Sequence, residues 1–230
     1  MKNVRHIFFD LDHTLWDHDS NARKVLSVMH EKFEIGSFTG MSKEKFIETY
    51  TKVNDSLWDR YNQGQIEREY LRKERFRIVL KKCGTEDVSR SDEMSDYYIK
   101  HCPRQKGLVE DADIILNYLS KKYKMSLITN GFEDIQQVKV KSTGLDRYFE
   151  KMYTSEAVGA KKPDPKIFEY ALTDQSLEPH EVVMIGDNLK TDIKGALGVN
   201  ITPIFFNPLG VVKSDCEWQI SRLQELMKIL

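Results

Sequence analysis

Cysteine is scarce in this 230-residue sequence, and the few cysteines form no recognisable pairs. They are Cys83, Cys102 and Cys216, and none of them lies in a CxxC motif. An odd number without such pairs argues against a disulfide framework and against a zinc site built on paired cysteines. Cysteine usage therefore favours a reducing compartment, and we expect a cytoplasmic protein.

Long hydrophobic runs are also missing from the sequence. The first apolar run, Ile7–Phe9, ends at Asp10, whereas the apolar region of a signal peptide needs about 7–15 residues. No run approaches the roughly 20 apolar residues that span a bilayer. We therefore expect neither a signal peptide nor a membrane partner.

Neither sign of charge is in excess. Lysine and arginine total 35, aspartate and glutamate total 36, and the net charge is −1. Proteins that bind nucleic acid polymers typically carry a strong basic excess or a basic stripe. We therefore expect no nucleic acid polymer as a partner. For the assembly state we expect a monomer or a weak homodimer.

Short apolar segments do occur, and most of them alternate with helical patterns after residue 107. The predicted strands are Val4–Phe9, Lys124–Thr129, Lys151–Thr154, Val182–Ile185 and Ile201–Phe206. Strands that alternate with helices form a parallel sheet with helices on both faces. We therefore predict an α/β fold with a doubly wound, Rossmann-like parallel sheet. Ligands of such sheets bind beyond the carboxyl ends of the strands.

A helical block separates the first predicted strand from the others. Its apolar residues recur every three or four positions, for example at Phe46, Tyr50, Val53, Leu57 and Tyr61. This spacing is typical of amphipathic helices, and Ser42 is a predicted N-cap. The pattern predicts an α/β core of residues 1–16 and 97–230, with a helical domain of residues 17–96 inserted into it.

The first candidate site follows the first strand and contains two carboxylates. Asp10 and Asp12 lie in the segment Asp-Leu-Asp-His-Thr. Residues i and i+2 of an extended chain point the same way, so both carboxylates can face one site. Two neighbouring carboxylates raise each other's pKa. Magnesium would relieve that repulsion, because it prefers carboxylates, water and phosphate oxygens as ligands.

Two further groups of polar residues stand at the starts of predicted helices. Thr129 and the two residues after it, Asn130 and Gly131, lie where a strand meets a helix, and backbone N–H groups there hold phosphate well. Lys162 precedes a helix that we predict to begin at Pro165, with Asp164 as its N-cap. A lysine in that loop can neutralise a phosphate and a nucleophile together.

The last group follows the strand at residues 182–185. Gly186 permits a sharp exit from that strand, and Asp187 can then complete a metal site. Taken separately, each of the four groups also fits an ordinary role as a solvated turn, a helix cap or a surface loop. All four occur in one chain, each beside the carboxyl end of a predicted strand, and together they favour a catalytic site.

This order of acid pair, hydroxyl, lysine and acid resembles a known family. Asp10–Thr14, Thr129, Lys162 and Gly186–Asp192 are similar to the four motifs of the haloacid dehalogenase superfamily phosphatases, and the likeness covers essentially the whole chain. The helical block resembles the helical cap of that superfamily. Within it, the chain is similar to the bacterial nucleotidases that act on pyrimidine nucleoside monophosphates. The resemblance implies a magnesium-dependent phosphomonoester hydrolase, specifically a 5'-nucleotidase, with a small phosphorylated metabolite as its partner.

The resemblance also implies the roles of the reacting groups. Asp10 is the nucleophile that forms an aspartyl phosphate. Asp12 is the general acid of the first step and the general base of the second. We expect burial and the charge of Asp10 to raise the pKa of Asp12.

The remaining site residues are implied to hold the metal and the phosphoryl group. Magnesium would bind the Asp10 carboxylate, the Asp12 backbone carbonyl and Asp187. Asp192 would orient Lys162 or a metal-bound water. The phosphoryl oxygens would be held by Thr129, Asn130, Gly131 and Lys162.

Several alternatives stay open from the sequence. The same groups would serve a sugar-phosphate or phosphoglycolate-type phosphatase, or a phosphomutase. A 2-haloacid dehalogenase is disfavoured because halide needs no proton to leave, and Asp12 would have no task. A non-catalytic phospho-acceptor module would not need the insertion of about 80 residues. The aromatic residues that could stack on a base, although their spacing favours packing, are Trp16, Trp58, Tyr61 and Tyr70.

Overall fold

Apolar runs of this chain become strands of one parallel sheet. The computed structural model describes residues 3–230, and its six strands are ordered β3-β2-β1-β4-β5-β6. The strands are β1 (His6–Phe9), β2 (Lys124–Thr129), β3 (Lys151–Thr154), β4 (Val182–Gly186), β5 (Thr202–Phe206) and β6 (Gln219–Ile220). Every residue of β1 and β4 is buried, as in sheets with helices on both faces. The predicted doubly wound parallel sheet is confirmed.

The strand order places a switch point at the centre of the sheet. From β1 the chain builds outward through β2 and β3 on one side, and later through β4, β5 and β6 on the other. Phe9, the last residue of β1, pairs in register with Leu127 and with Ile185. The segments after these residues therefore lie side by side at the carboxyl edge, where doubly wound sheets bind ligands.

The helices are of very different lengths. They are α1 (His18–Lys32), α2 (Ile35–Thr39), α3 (Lys43–Asn62), α4 (Arg68–Lys82), α5 (Ser91–His101), α6 (Ala112–Leu119), α7 (Glu133–Thr143), α8 (Ser155–Val158), α9 (Pro165–Gln175), α10 (Lys194–Gly198) and α11 (Leu226–Ile229). Two predicted N-caps are confirmed. Ser42 accepts a hydrogen bond from the Lys45 backbone, and Asp164 accepts one from the Lys166 backbone at the start of α9. Among residues 3–230, no helix is both long and apolar enough to cross a membrane.

The chain divides into two units. The α/β unit runs to His18 and resumes at Lys106, and the helical unit is Asp19–Gln105. The predicted boundary between residues 96 and 97 falls inside α5, which continues to His101.

Each unit has its own core. In the α/β unit, Phe8 and Ile128 of the sheet pack with Phe168 of α9. In the helical unit, the rings of Tyr50 and Tyr98 lie with centroids 5.1 Å apart. Burial of large aromatic and aliphatic side chains stabilises both units, by roughly 1.5–3 kcal/mol for each fully buried side chain.

Candidate active site

Lys162 and Asp10 form the centre of the candidate site in the α/β unit. The Lys162 ammonium lies 2.5 Å from Asp10 Oδ1 and 2.7 Å from Asp192 Oδ1. It also donates to the backbone carbonyl of Ile128 at 2.7 Å. Only 2% of Lys162 is exposed, so it is not the surface-loop lysine that its neighbours in sequence suggest. A buried ammonium held by two carboxylates stays charged, because both carboxylates favour the charged form.

Asp187 adds a third carboxylate to this group. Carboxylate oxygens of Asp10, Asp187 and Asp192 all lie within 4.8 Å of one another. The Thr14 hydroxyl is within 3.3 Å of Asp187 Oδ1 and 3.4 Å of Asp10 Oδ2. The loops that follow β1 and β4 and the loop before α9 therefore meet at one point. The structure brings together four of the predicted site residues, namely Asp10, Lys162, Asp187 and Asp192.

The three carboxylates outnumber the cation that they share. Burial raises the pKa of Asp10 well above its ordinary value of 3.8, and Asp192 and Asp187 raise it further against the opposing charge of Lys162. Burial and the charge of Asp192 raise the pKa of Asp187 to about 7. With Lys162 charged, the ionised group would carry two uncompensated negative charges. That imbalance and the oxygen donors are what a hard divalent cation requires.

The Asp192 carboxylate is held over the end of β4. It accepts a hydrogen bond from the Asn188 backbone at 3.0 Å and contacts Lys162 with its other oxygen. The Gly186 backbone passes so close that a Cβ at this position would lie 2.3 Å from Asp192 Oδ2. Glycine at residue 186 is therefore required for this close approach.

The Asp12 side chain is engaged by different partners. Its Oδ1 lies 2.5 Å from the Lys139 ammonium, and its Oδ2 accepts a hydrogen bond from Gln136 at 2.8 Å. Burial raises the pKa of Asp12, but the charge of Lys139 and the hydrogen bonds from Lys139 and Gln136 lower it more. The net pKa lies below the ordinary value of 3.8. The expectation of a raised pKa is wrong, because the sequence did not reveal the lysine that faces this carboxylate.

The residues after β2 form an ordered turn. Thr129 Oγ1 accepts hydrogen bonds from the Gly131 backbone at 3.0 Å and from Gln136 at 2.7 Å. The Asn130 side chain bonds to the backbone N–H and carbonyl of Lys162, at 2.8 and 2.9 Å. The Gly131 N–H, a predicted phosphate ligand, thus orients Thr129. The Asn130 side chain anchors the Lys162 loop, and the prediction that its backbone N–H holds phosphate is untouched by these contacts.

Gln136 and Lys139 were not among the predicted site residues. Both lie on α7, three positions apart, so they share a face of that helix. Gln136 is fully buried and Lys139 is 6% exposed. A buried glutamine and lysine on the inner face of a short helix are unusual enough to mark a site. That burial is the signal that the sequence alone does not provide.

The four aromatic candidates for base stacking differ in exposure. Trp16, in the α/β unit, is fully buried, and the Lys139 ammonium lies 4.4 Å from its ring centroid. In the helical unit, Tyr61 is buried and packs edge-on against Trp58, with centroids 5.5 Å apart. Tyr70 is 42% exposed. Packing in the protein interior therefore explains the presence of Trp16 and Tyr61.

Comparisons with known proteins agree with this geometry. Residues 7–206 match the family described as haloacid dehalogenase-like hydrolase. The chain is 32% identical over 232 residues to pyrimidine 5'-nucleotidase YjjG of Escherichia coli, which covers 97% of this chain and 96% of that protein. It is 26% identical to pyrimidine 5'-nucleotidase PynA of Streptococcus pneumoniae, over 88% of this chain and 83% of that protein.

A solved structure shows the same fold over almost the whole length. The putative HAD-hydrolase YfnB from Bacillus subtilis, determined bound to magnesium, superposes with a TM-score of 0.89 at 24% identity, over 99% of each chain. The predicted resemblance is therefore confirmed by the sequence relatives and by the fold. The chain belongs to the haloacid dehalogenase-like hydrolase family.

Proposed function

We propose that this hydrolase is a magnesium-dependent phosphomonoesterase that acts through an aspartyl phosphate on Asp10. Its substrates are pyrimidine nucleoside 5'-monophosphates. The observation that carries the proposal is the meeting of Asp10, Asp187, Asp192 and Lys162 at the carboxyl edge of the sheet. Phosphoryl transfer depends mainly on positioning and charge neutralisation, and these residues provide both.

The donor set fits magnesium. Two buried carboxylates, those of Asp10 and Asp192, and the partly buried carboxylate of Asp187 share one ammonium, and their oxygens are close enough to bind one ion together. The carboxylates of Asp10 and Asp187, with the backbone carbonyl of Asp12, would hold it, while Asp192 stays with Lys162. When bound, magnesium would neutralise charge on the phosphoryl group and favour the ionised form of Asp10.

The first step transfers the phosphoryl group to the protein. An Asp10 oxygen bonds to phosphorus while the bond from phosphorus to the ester oxygen breaks. The proton of Asp12 goes to the departing oxygen, so the product leaves as an alcohol. Lys162 and the Thr129 hydroxyl stabilise the negative charge on the phosphoryl oxygens.

The second step releases phosphate. Asp12 removes a proton from water, water oxygen bonds to phosphorus, and the bond to Asp10 breaks. The low pKa of Asp12 leaves it ionised, which is the form that a general base needs. The first step then requires Asp12 to gain a proton when substrate binds.

The nucleotide assignment is supported by the relatives' activities. YjjG and PynA are pyrimidine 5'-nucleotidases, and the YjjG match spans nearly the full length of both proteins. A screen of phosphate esters with magnesium tests this assignment. We expect dUMP and dTMP to be hydrolysed with a kcat/KM at least about tenfold above that for sugar phosphates, since differences of a few contacts are worth 1–3 kcal/mol. Equal or better turnover of sugar phosphates would overturn the substrate assignment and leave the phosphatase assignment intact.

The chemical assignment is tested at Asp10. Wild-type protein with magnesium should hydrolyse 4-nitrophenyl phosphate, and Asp10→Asn should abolish turnover because an amide cannot form the acyl phosphate. Asp146→Asn is the matched control, because Asp146 is an exposed aspartate. Circular dichroism should show that both variants fold. Near-normal turnover by folded Asp10→Asn would exclude Asp10 as the nucleophile.

A further inference from the structure

The Asp12 carboxylate is held through both of its oxygens by one helix. Lys139 contacts Oδ1 at 2.5 Å and Gln136 donates to Oδ2 at 2.8 Å. Both donors are on α7 and both are buried. A carboxylate oxygen has two lone pairs, so each oxygen keeps one for a proton. The two contacts therefore fix the direction of the carboxylate without blocking proton transfer.

Gln136 makes a second contact through the same amide nitrogen. Its Nε2 lies 2.8 Å from Asp12 Oδ2 and 2.7 Å from Thr129 Oγ1. An ionised carboxylate only accepts hydrogen bonds, so the nitrogen of the amide must face Asp12. The two N–H groups of one amide thus connect the loop after β1 to the end of β2.

This contact determines where the Thr129 hydroxyl points. The oxygen accepts from Gly131 at 3.0 Å and from Gln136 at 2.7 Å. A hydroxyl has two lone pairs and one proton. With both lone pairs occupied, the proton is the part left to donate to a phosphoryl oxygen.

The arrangement is not what stability alone would select. Within the described residues, Gln136 Oε1 is buried and has no hydrogen-bond partner, which costs free energy. A Cβ at Gly131 would lie 2.2 Å from Gln136 Nε2, so a larger residue there would displace the Gln136 side chain from this position. The Lys139 ammonium lies over the Trp16 ring at 4.4 Å, and this cation–π contact holds it in one place.

We propose that Gln136 and Lys139 are positioning residues for the proton transfer and the phosphoryl binding of the site, an inference that rests on the proposed function. Lys139 and Gln136 orient Asp12 toward the leaving oxygen. Gln136 also presents the Thr129 proton to the phosphoryl group. Removing Gln136 therefore affects two functions, and removing Lys139 affects one.

The leaving group of the substrate separates positioning from a general structural effect. Nitrophenolate leaves without a proton, whereas the alkoxide of a nucleotide needs one from Asp12. The ratio kcat/KM reports the steps up to phosphoryl transfer. For Gln136→Met and Lys139→Met, we expect kcat/KM to fall at least about tenfold more on dTMP than on 4-nitrophenyl phosphate, since general acid catalysis contributes 10²–10⁴-fold. If dTMP is turned over slowly, the alkyl ester that the wild type hydrolyses fastest takes its place.

A binding measurement separates the two residues. Calorimetry with inorganic phosphate in the presence of magnesium gives a dissociation constant that needs no turnover. We expect Gln136→Met to raise it about fivefold, as for loss of one hydrogen bond, and Lys139→Met to leave it within about twofold. Equal weakening in both variants would overturn the specific role of Gln136 at Thr129.

Matched controls come from the same helix. Gln137 and Lys141 are exposed, so Gln137→Met and Lys141→Met should keep wild-type kinetics. Should Gln136→Met unfold, Gln136→Glu keeps the shape but turns an acceptor toward Asp12, and the same substrate-dependent loss is expected. Losses of equal size on both esters, or no loss, would overturn the inference while wild-type turnover upholds the proposed function. If the wild type hydrolyses neither ester, the proposed function fails and the inference fails with it.

Discussion

Lys162 is a buried cation whose charge is fixed by its neighbours. Burial alone would lower the pKa of Lys162, but Asp10 and Asp192 raise it above the ordinary value of 10.5. The charge of Lys162 in turn favours the ionised form of Asp10, whereas the neighbouring carboxylates oppose it. Breaking such a buried pair by removing one partner typically costs about 3–5 kcal/mol, because the other charge is left uncompensated.

Lys162→Met tests this at the residue scale. The substitution keeps most of the side-chain volume but removes the ammonium that faces Asp10. We expect kcat/KM to fall about 10²–10³-fold, as for loss of one group that stabilises transition-state charge, and the melting temperature to fall. Steady-state kinetics and thermal melting provide the measurements. Lys166→Met is the matched control, since Lys166 is an exposed lysine in the next helix. Activity within threefold of wild type would show that Lys162 has no role at the phosphoryl group.

At the scale of elements, local sequence determines most of the sheet and its caps. The apolar runs at β1, β2 and β4 predict strands because the strands of a sheet covered by helices on both faces are apolar throughout, and all of their residues except Lys124 are buried. Ser42 and Asp164 predict helix starts because their side chains can cap the free N–H groups of the first turn. The short strand β6 is different. Its two residues, Gln219 and Ile220, carry no periodicity, and pairing with β5 alone defines them.

The site divides in the same way. The sequence could predict Asp10, Thr129, Lys162 and Asp187, because each lies at the end of a strand or before a helix. The direction of the chain alone places such residues at the carboxyl edge of the sheet. Lys139 could not, since it reaches Asp12 from across the sheet edge, 127 positions along the chain. Side chains on a helix face become site residues only through packing. For that reason the predicted direction of the Asp12 pKa shift is wrong.

Gly186, the last residue of β4, allows a prediction about an element. A Cβ at this position would lie 2.3 Å from Asp192 Oδ2, so Gly186→Ala must displace Asp192 from Lys162. We expect a loss of stability of about 1–3 kcal/mol, the range for overpacked sites, together with lower activity. Gly198→Ala is the matched control, because a Cβ there meets nothing within 4 Å. Chemical denaturation measures the loss of stability, and an activity assay measures the loss of turnover. Equal stability and equal activity of the two variants would contradict the close approach of Gly186 to Asp192.

For the whole molecule, the carboxylate group links stability to pH. The pKa of Asp187 is raised to about 7 from an ordinary value of 3.8, first by burial and then by Asp192. Between these pH values the folded protein binds a proton there more tightly than the unfolded chain does. Its contribution to stability is therefore fully present below pH 3.8 and is lost as the pH rises through about 7.

Magnesium should reverse that loss, because it competes with protons for the same oxygens. At saturating magnesium and pH 8, we expect the melting temperature to rise by about 5 °C or more, since ligand at 100 times its dissociation constant adds about 2.7 kcal/mol. At pH 6 the rise should be smaller, because each displaced proton weakens apparent affinity about tenfold per pH unit below 7. Asp187→Asn should remove most of the rise at both pH values, and Asp146→Asn should not. A magnesium effect that is independent of pH, or unchanged in Asp187→Asn, would place the metal away from these carboxylates.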